Sequence, residues 1–252
     1  MRAPILIAAV AFSGIAGSQQ PALNILRVSP SGVATPTDIV TVAFDRPVAG
    51  QLDGTIDPRT IFSIAPAVPG RVEWRDPITL QFTPSEALTT SVTYTVTVAN
   101  TFQAMDGGRL AQPYRFSFRV GAPRVLGGSP VGRNLAPRHL RSGTPFELLV
   151  SAPVDLAVAS RLVSLKLDGS CSGSSTIALT AVSQRPLTES DPPQYRYAGG
   201  WRRDRRADAL RRVVRFVPER PLPLACSGGL LTPAEIDAAG SSPIERWPFS
   251  TY

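Results

Sequence analysis

The stretch Ile78–Val98, ITLQFTPSEALTTSVTYTVTV, decides how the rest of the chain is read. Thr79-Leu80-Gln81-Phe82 alternates polar and apolar side chains, and Tyr94-Thr95-Val96-Thr97-Val98 alternates again with aromatic and β-branched residues. A period of two is the pattern of a strand that buries one face. Between these runs lies Pro84-Ser85-Glu86-Ala87-Leu88, a polar connection opened by proline, so the stretch reads as one β-hairpin. None of these residues forms a catalytic motif.

Strands continue on both sides. Upstream, Ile39-Val40-Thr41-Val42-Ala43-Phe44 is closed by Asp45-Arg46-Pro47-Val48, where Pro47 lacks the N–H a ladder needs. Ile61–Ile64 and Gly70–Trp74 follow, and Arg75-Asp76-Pro77 turns into the opening stretch. Downstream, Asp106-Gly107-Gly108 marks a turn, and Tyr114–Val120 puts Tyr114, Phe116 and Phe118 on one face. About seven short strands with regular turns describe an immunoglobulin-type sandwich over 22–121. Its expected core is Trp74, Phe82, Tyr94, Phe116 and Phe118.

Residues 122–252 repeat the order. Val125–Pro130 matches Arg27–Pro30, and Phe146–Asp155 matches the strand ending at Pro47-Val48. Arg212–Pro218 matches Thr79–Pro84, and Trp247–Tyr252 matches Phe116–Phe118. A duplicated module accounts for these matches. The reading predicts a return strand over Leu222–Leu231 carrying Cys226. It also predicts a short helical turn over Thr232–Ile236, with Thr232 as N-cap and Pro233 at the first helical position.

Composition agrees with an all-β chain: 25 prolines and 20 glycines in 252 residues favour many turns over long helices. Residues 1–18 read as a signal peptide, with Arg2 before the apolar run Ile5–Phe12 and small residues Ala16-Gly17-Ser18 before a cut at Gln19. The apolar run is too short to span a bilayer. The chain is therefore expected to be exported, periplasmic or at the cell surface, with a buried N-terminal strand or uncleaved anchor as the other reading. In that setting Cys171 and Cys226 favour a disulfide, worth roughly 4 kcal/mol in the chain-entropy model. Free thiols are the alternative. Two cysteines and one histidine do not complete a usual zinc site.

The first half resembles the SbsA-type bacterial Ig-like domain through SP-G, VAFDRPV, Trp74 and Asp76 before TLQFTP, then YTVTV, DGG-L and FSF. With the V-RF-P-RPLP segment and the closing W-FSTY, the two halves resemble the N-terminal region of bacterial alpha-2-macroglobulin-like proteins. The resemblance implies two consecutive Ig-like/macroglobulin-like β-sandwiches and a role in protease trapping, with other macroglobulin domains or a protein as partner. It also implies a far longer parent chain, so these residues are expected to be an N-terminal piece or a truncated product. Cys171-Ser172-Gly173-Ser174 and Cys226-Ser227-Gly228-Gly229 do not match the Cys-x-Glu-Gln thioester motif, and no bait region is evident.

The chemistry inventory is short. His139 lies in Pro137-Arg138-His139-Leu140-Arg141 and reads as a loop histidine without a nucleophile motif. Gly127–Gly132 misses the G-x-S-x-G elbow by one residue. Asp45, Asp53, Asp57, Asp76 and Asp106 read as turn-capping carboxylates, with a calcium site as the minor alternative. No phosphate-binding or zinc motif occurs. The expectation is a chain without enzyme activity, cofactor or metal. A net charge of +7 permits attraction to anionic polymers or membrane surfaces without identifying a partner. The run Arg202, Arg203, Arg205 and Arg206 is the candidate patch for an anionic cell-envelope polymer, against a solvated loop; export argues against nucleic acid. The competing function is a free-standing adhesion module that binds polysaccharide or protein. A hydrolase accessory domain is a third.

Overall fold

The computed structural model describes residues 22–50, 56–133, 135, 138–169, 171, 175–197, 205–239 and 242–252. The expected signal peptide, 1–18, lies outside them. In chain order the strands of the first half are β1 (Ile25–Ser29), β2 (Gly32–Ala34), β3 (Val40–Phe44), β4 (Phe62–Ala65), β5 (Gly70–Asp76), β6 (Thr79–Pro84), β7 (Thr93–Val98) and β8 (Tyr114–Val120). The short helix α1 (Pro58–Ile61) precedes β4. Those of the second half are β9 (Val125–Ser129), β10 (His139–Leu140), β11 (Phe146–Val150), β12 (Ser164–Leu167), β13 (Thr176–Pro186), β14 (Arg212–Pro218), β15 (Ser227–Pro233) and β16 (Ile244–Thr251). Helix α2 (Leu156–Leu162) precedes β12, and α3 (Pro193–Tyr197) and α4 (Arg205–Leu210) lie between β13 and β14.

In the first half β1-β3-β6-β5 forms one sheet and β2-β8-β7-β4 the other. Val40, Val42, Phe44, Leu80 and Phe82 from the first meet Tyr94, Val96, Val98 and Phe118 from the second in one buried cluster. Phe62 stacks on Phe82 with ring centroids 5.2 Å apart, and Tyr94 on Phe118 at 5.7 Å. Trp74 and Phe116 pack against this core while remaining half-buried. The Trp74 indole N–H donates to the Ile56 carbonyl.

The opening stretch is not a hairpin. β6 pairs with β3 and β5, whereas β7 pairs with β4 and β8, so the chain crosses from one sheet to the other between Pro84 and Thr93. The period-two pattern states which face of each strand is buried but not which strand lies beside it. Two apolar faces buried across the sandwich satisfy that pattern as well as two adjacent strands do. Leu88 is buried within the crossing, and its N–H donates to the Pro36 carbonyl. The Tyr94 hydroxyl accepts from the Thr89 N–H at 3.0 Å. This bond is the tyrosine corner of immunoglobulin-type sandwiches.

The second half repeats the first strand for strand. β9-β11-β14-β13 follows the order of β1-β3-β6-β5, and β10-β16-β15-β12 that of β2-β8-β7-β4. Even the short parallel pair β2/β8 recurs as β10/β16. Asp57 caps α1 and Asp155 caps α2, each accepting from backbone N–H groups of the first turn. One difference joins the two sheets of the second half into a single eight-stranded sheet: β13, eleven residues long, pairs with β12 through Thr176–Ala178 and with β14 through Leu179–Pro186. The sheet bends about that strand and still closes over one core, where Phe146 lies 6.0 Å from Phe249.

Three sequence expectations are corrected here. The strand near Leu222–Leu231 begins at Ser227 and pairs with β12 and β16 rather than β14, repeating the crossing of the first half. Thr232 and Pro233 end β15 rather than start a helix; Pro233 sits opposite Ile244 at the end of the ladder, where a missing N–H is tolerated. His139 belongs to β10, held beside Ser250 in parallel register, and is not in a loop.

Candidate interaction surfaces

The site that the fold builds most firmly is the junction of the two halves. Only Gly121-Ala122-Pro123-Arg124 separates β8 from β9, and both neighbours hold it. The Gly121 N–H donates to the Ala34 carbonyl at 2.9 Å on the first side. On the second side the Ile236 N–H donates to the Pro123 carbonyl and the Val125 N–H to the Ala234 carbonyl, both at 2.8 Å. Arg124 and Ser151 exchange two bonds, and Arg124 forms a β-bridge with Glu235. Pro123 is buried and its ring fixes one backbone dihedral. Longer contacts also span the junction. Arg119 lies 3.9 Å from Asp237, and the Arg206 guanidinium donates to the Pro84 carbonyl at 2.8 Å.

The arginine run predicted as an anionic patch is thus divided. Arg205 is exposed on α4, Arg206 reaches across the junction, and Arg202 and Arg203 lie outside the described residues. Asp208 pairs with Arg211 at 3.0 Å. His139 and the turn aspartates take local structural positions. The His139 ring nitrogen Nδ1 lies 2.9 Å from the Ser250 hydroxyl, and its ring is 5.4 Å from that of Tyr252. Asp57, Asp76 and Asp106 accept from backbone N–H groups two residues on, as turn aspartates do, while Asp53 lies outside the described residues. Asp45 accepts from Arg46 and from Asn24; the Arg46 guanidinium, aided by Asn24, holds its carboxyl well below the usual carboxylate range. Among the described residues no three His, Cys, Asp or Glu side chains converge as a metal-binding group. No helix there is long and apolar enough to cross a membrane.

Cys171 and Cys226 are joined as a disulfide, with Cα atoms 5.5 Å apart. The duplication shows what the bridge replaces. Ser91 and Ala225 occupy the same place in the two crossings: both have positive φ, and each N–H donates to the end of the last strand, at Val120 and Tyr252. Two residues beyond Ala225, Ser227 begins β15 as Thr93 begins β7, so Gly228 stands where Tyr94 does. A Cβ on Gly228 would lie 3.0 Å from the Phe249 ring and 2.7 Å from the Lys166 carbonyl, leaving no room for a tyrosine. The corner without its tyrosine is the corner tied by Cys226.

Sequence reasoning missed one buried feature. The segment between β13 and α3 folds over the outer face of β9 and β11 and buries Tyr195 beside Leu149 and Val213. Burial pushes the Tyr195 phenol above its ordinary range. Asp191 anchors the segment, accepting two bonds from Arg185, at 2.7 and 2.5 Å, and two from Thr188. The Arg185 guanidinium, with the Thr188 donors, holds the Asp191 carboxyl well below its usual range despite burial. The signal in sequence was Thr188-x-x-Asp191, a turn-forming spacing inside a stretch that otherwise reads as loop.

The profile of the bacterial Ig-like domain family matches residues 19–120, which span the first sandwich. No curated protein matches the chain. Among solved structures, L,D-transpeptidase 3 from Mycobacterium tuberculosis is 15% identical, with 62% of this chain and 57% of that chain covered and a TM-score of 0.29. Native alpha-2-macroglobulin from Escherichia coli, spanning domains MG0-NIE-MG1, is 16% identical over 91% of this chain and 71% of that one, with a TM-score of 0.33. The N-terminal part of the bacterial S-layer protein SbsC is 16% identical over 63% and 40%, with a TM-score of 0.32. The chain thus spans just over half of the first of these, and likeness at this level carries no chemistry.

Proposed function

We propose that this chain is a non-enzymatic, exported structural and interaction element, the N-terminal part of an alpha-2-macroglobulin-like protease-trapping protein that begins with an SbsA-type Ig-like domain. The junction carries the reading. Two copies of one module are joined by a four-residue linker bonded on both sides, as a spacer in a larger shell would be. The V-RF-P-RPLP and W-FSTY segments of the second module supply the macroglobulin resemblance. Bait and thioester functions then belong to other parts of the parent protein.

An immunoblot of native cell-envelope fractions, using antibody against the first module, tests this. A band several-fold larger than the chain's 26.9 kDa is the expected result, with altered size-selectivity of proteolysis in the purified product. A band at the size of the chain itself overturns the proposal and leaves the adhesion reading.

A further inference from the structure

The outer face of β2-β8-β7-β4 is unlike its duplicate. Strand alternation turns Thr93, Thr95 and Thr97 of β7 outward, opposite Arg119, Ser117 and Arg115 of β8. Thr95 and Ser117 share a hydroxyl–hydroxyl bond at 2.9 Å. Strands about 4.8 Å apart, with outward residues about 6.7 Å apart along each, make a flat grid of hydroxyls. Arg115 and Arg119 flank it, about 13 Å from one another along one strand. None of the outward positions on these four strands is acidic. Asp237 stands at the rim, 3.9 Å from Arg119.

The second module is the internal control. There Arg246 takes the place of Arg115, and Asp168 neutralises it at 2.5 Å. The hydroxyl positions of β7 become Ser227, Gly229 and Leu231 in β15. One copy of the face has its cation paired internally. The other leaves Arg115 without an ion pair among the described residues and surrounds it with hydroxyls.

A second feature adjoins Arg115. A cleft of about 740 Å³ opens where β1 and the approach to β8 diverge, and Tyr114, Gln112 and Arg115 line it. Tyr114, which alternation turns to the other face of β8 beside Phe116, is 37% exposed and lines the cleft rather than the grid. The face lacks the buried aromatic or aliphatic centre on which protein–protein interfaces depend. It has what a hydrated, linear, charged chain needs: hydroxyls in register and forked donors for carboxylates.

From this we infer that the outer face of β7 and β8 binds a linear polysaccharide bearing repeated carboxylates. Arg115 and Arg119 pair with carboxylates along the chain, and the threonine hydroxyls meet sugar hydroxyls directly or through water. The site is separate from the arginine run on α4, and it stands whether the chain acts alone or within a larger shell.

The test uses oligogalacturonate as probe, with dextran as the neutral polymer and polyphosphate as a polyanion without sugar. Nuclear magnetic resonance of the full chain is expected to show oligogalacturonate shifting amides of β7 and β8. The double variant Arg115→Gln, Arg119→Gln should weaken binding at least tenfold. Thr95→Val, which keeps the strand's shape but removes a hydroxyl, should weaken it a few-fold, and Arg205→Gln should leave it unchanged. Unperturbed β7 and β8 amides, undiminished binding by the double variant, or polyphosphate bound with equal affinity at the same residues would each overturn the inference. Equal binding of dextran would do so too, since the arginines would then have no part.

Discussion

At the scale of single residues, two side chains show how this fold is held where backbone pairing is absent. Tyr94 reaches back to Thr89 across a crossing that no strand supports. Tyr94→Phe removes that acceptor and keeps the ring on Phe118, so it should cost about 1 kcal/mol, the net worth of one hydrogen bond. Urea denaturation should show the first module's midpoint falling with an unchanged slope. Asp191 does comparable work in the second module, where its carboxylate, 5% exposed, gathers Arg185 and Thr188. Its folded pKa lies below the unfolded value of about 3.9. The stabilisation is therefore present in full above that unfolded value and is lost as pH falls toward and through the depressed one. Hydrogen-exchange protection of the segment over Tyr195, measured against the intrinsic rate at each pH, should fall below about pH 4 in the native chain. In Asp191→Asn protection should already be low at neutral pH and should not fall further as pH drops through that range.

At the scale of elements, the duplicated strand order was legible from SP-G, the strands closed by Pro47 and Pro153, and the aromatic closing strands. These motifs sit at edges and turns, where sequence dictates local geometry. The partners of β6 and β14 were not legible, because alternation marks a buried face and is silent about the neighbour. Helix α2 was missed although Asp155 before Leu156–Leu162 is a capping signal; its apolar run follows a strand and reads as more of the same. Tyr195 was missed because a lone tyrosine among prolines resembles a loop until Asp191 is seen to fold that loop down. The cysteine pair was legible, but its purpose emerges only from superposing the two crossings. If Cys226–Cys171 stands in for the tyrosine corner, the double variant Cys171→Ala, Cys226→Ala should destabilise the second module by roughly 4 kcal/mol. The first module should keep its own midpoint. Reducing agent on the unaltered chain should reproduce the split in a denaturation curve followed by segment-resolved hydrogen exchange.

At the scale of the whole molecule, the question is whether two sandwiches behave as beads on a string or as one bar. Relative motion is the default between domains unless the interface is extensive. Here a restraint lies in the linker itself: Gly121 bonds backward to Ala34, while Pro123 and Val125 bond forward to Ile236 and Ala234. A four-residue connection with donors or acceptors engaged on both sides has little torsional freedom left, and Arg206 on Pro84 resists the hinge that remains. Small-angle scattering of the chain should therefore give a pair-distance distribution with two fixed lobes that does not broaden between low and high salt. Arg206→Ala should leave that profile nearly intact, since the linker bonds survive it. An eight-residue Gly-Ser insertion after Gly121 should not: it adds a coil about 16 Å in root-mean-square span, which uncouples the halves and raises the radius of gyration. The two modules should still unfold at their own midpoints, because each keeps its own core. An unaltered chain already as broad as the insertion variant would show that the junction is a hinge, and a rigid spacing role would no longer hold.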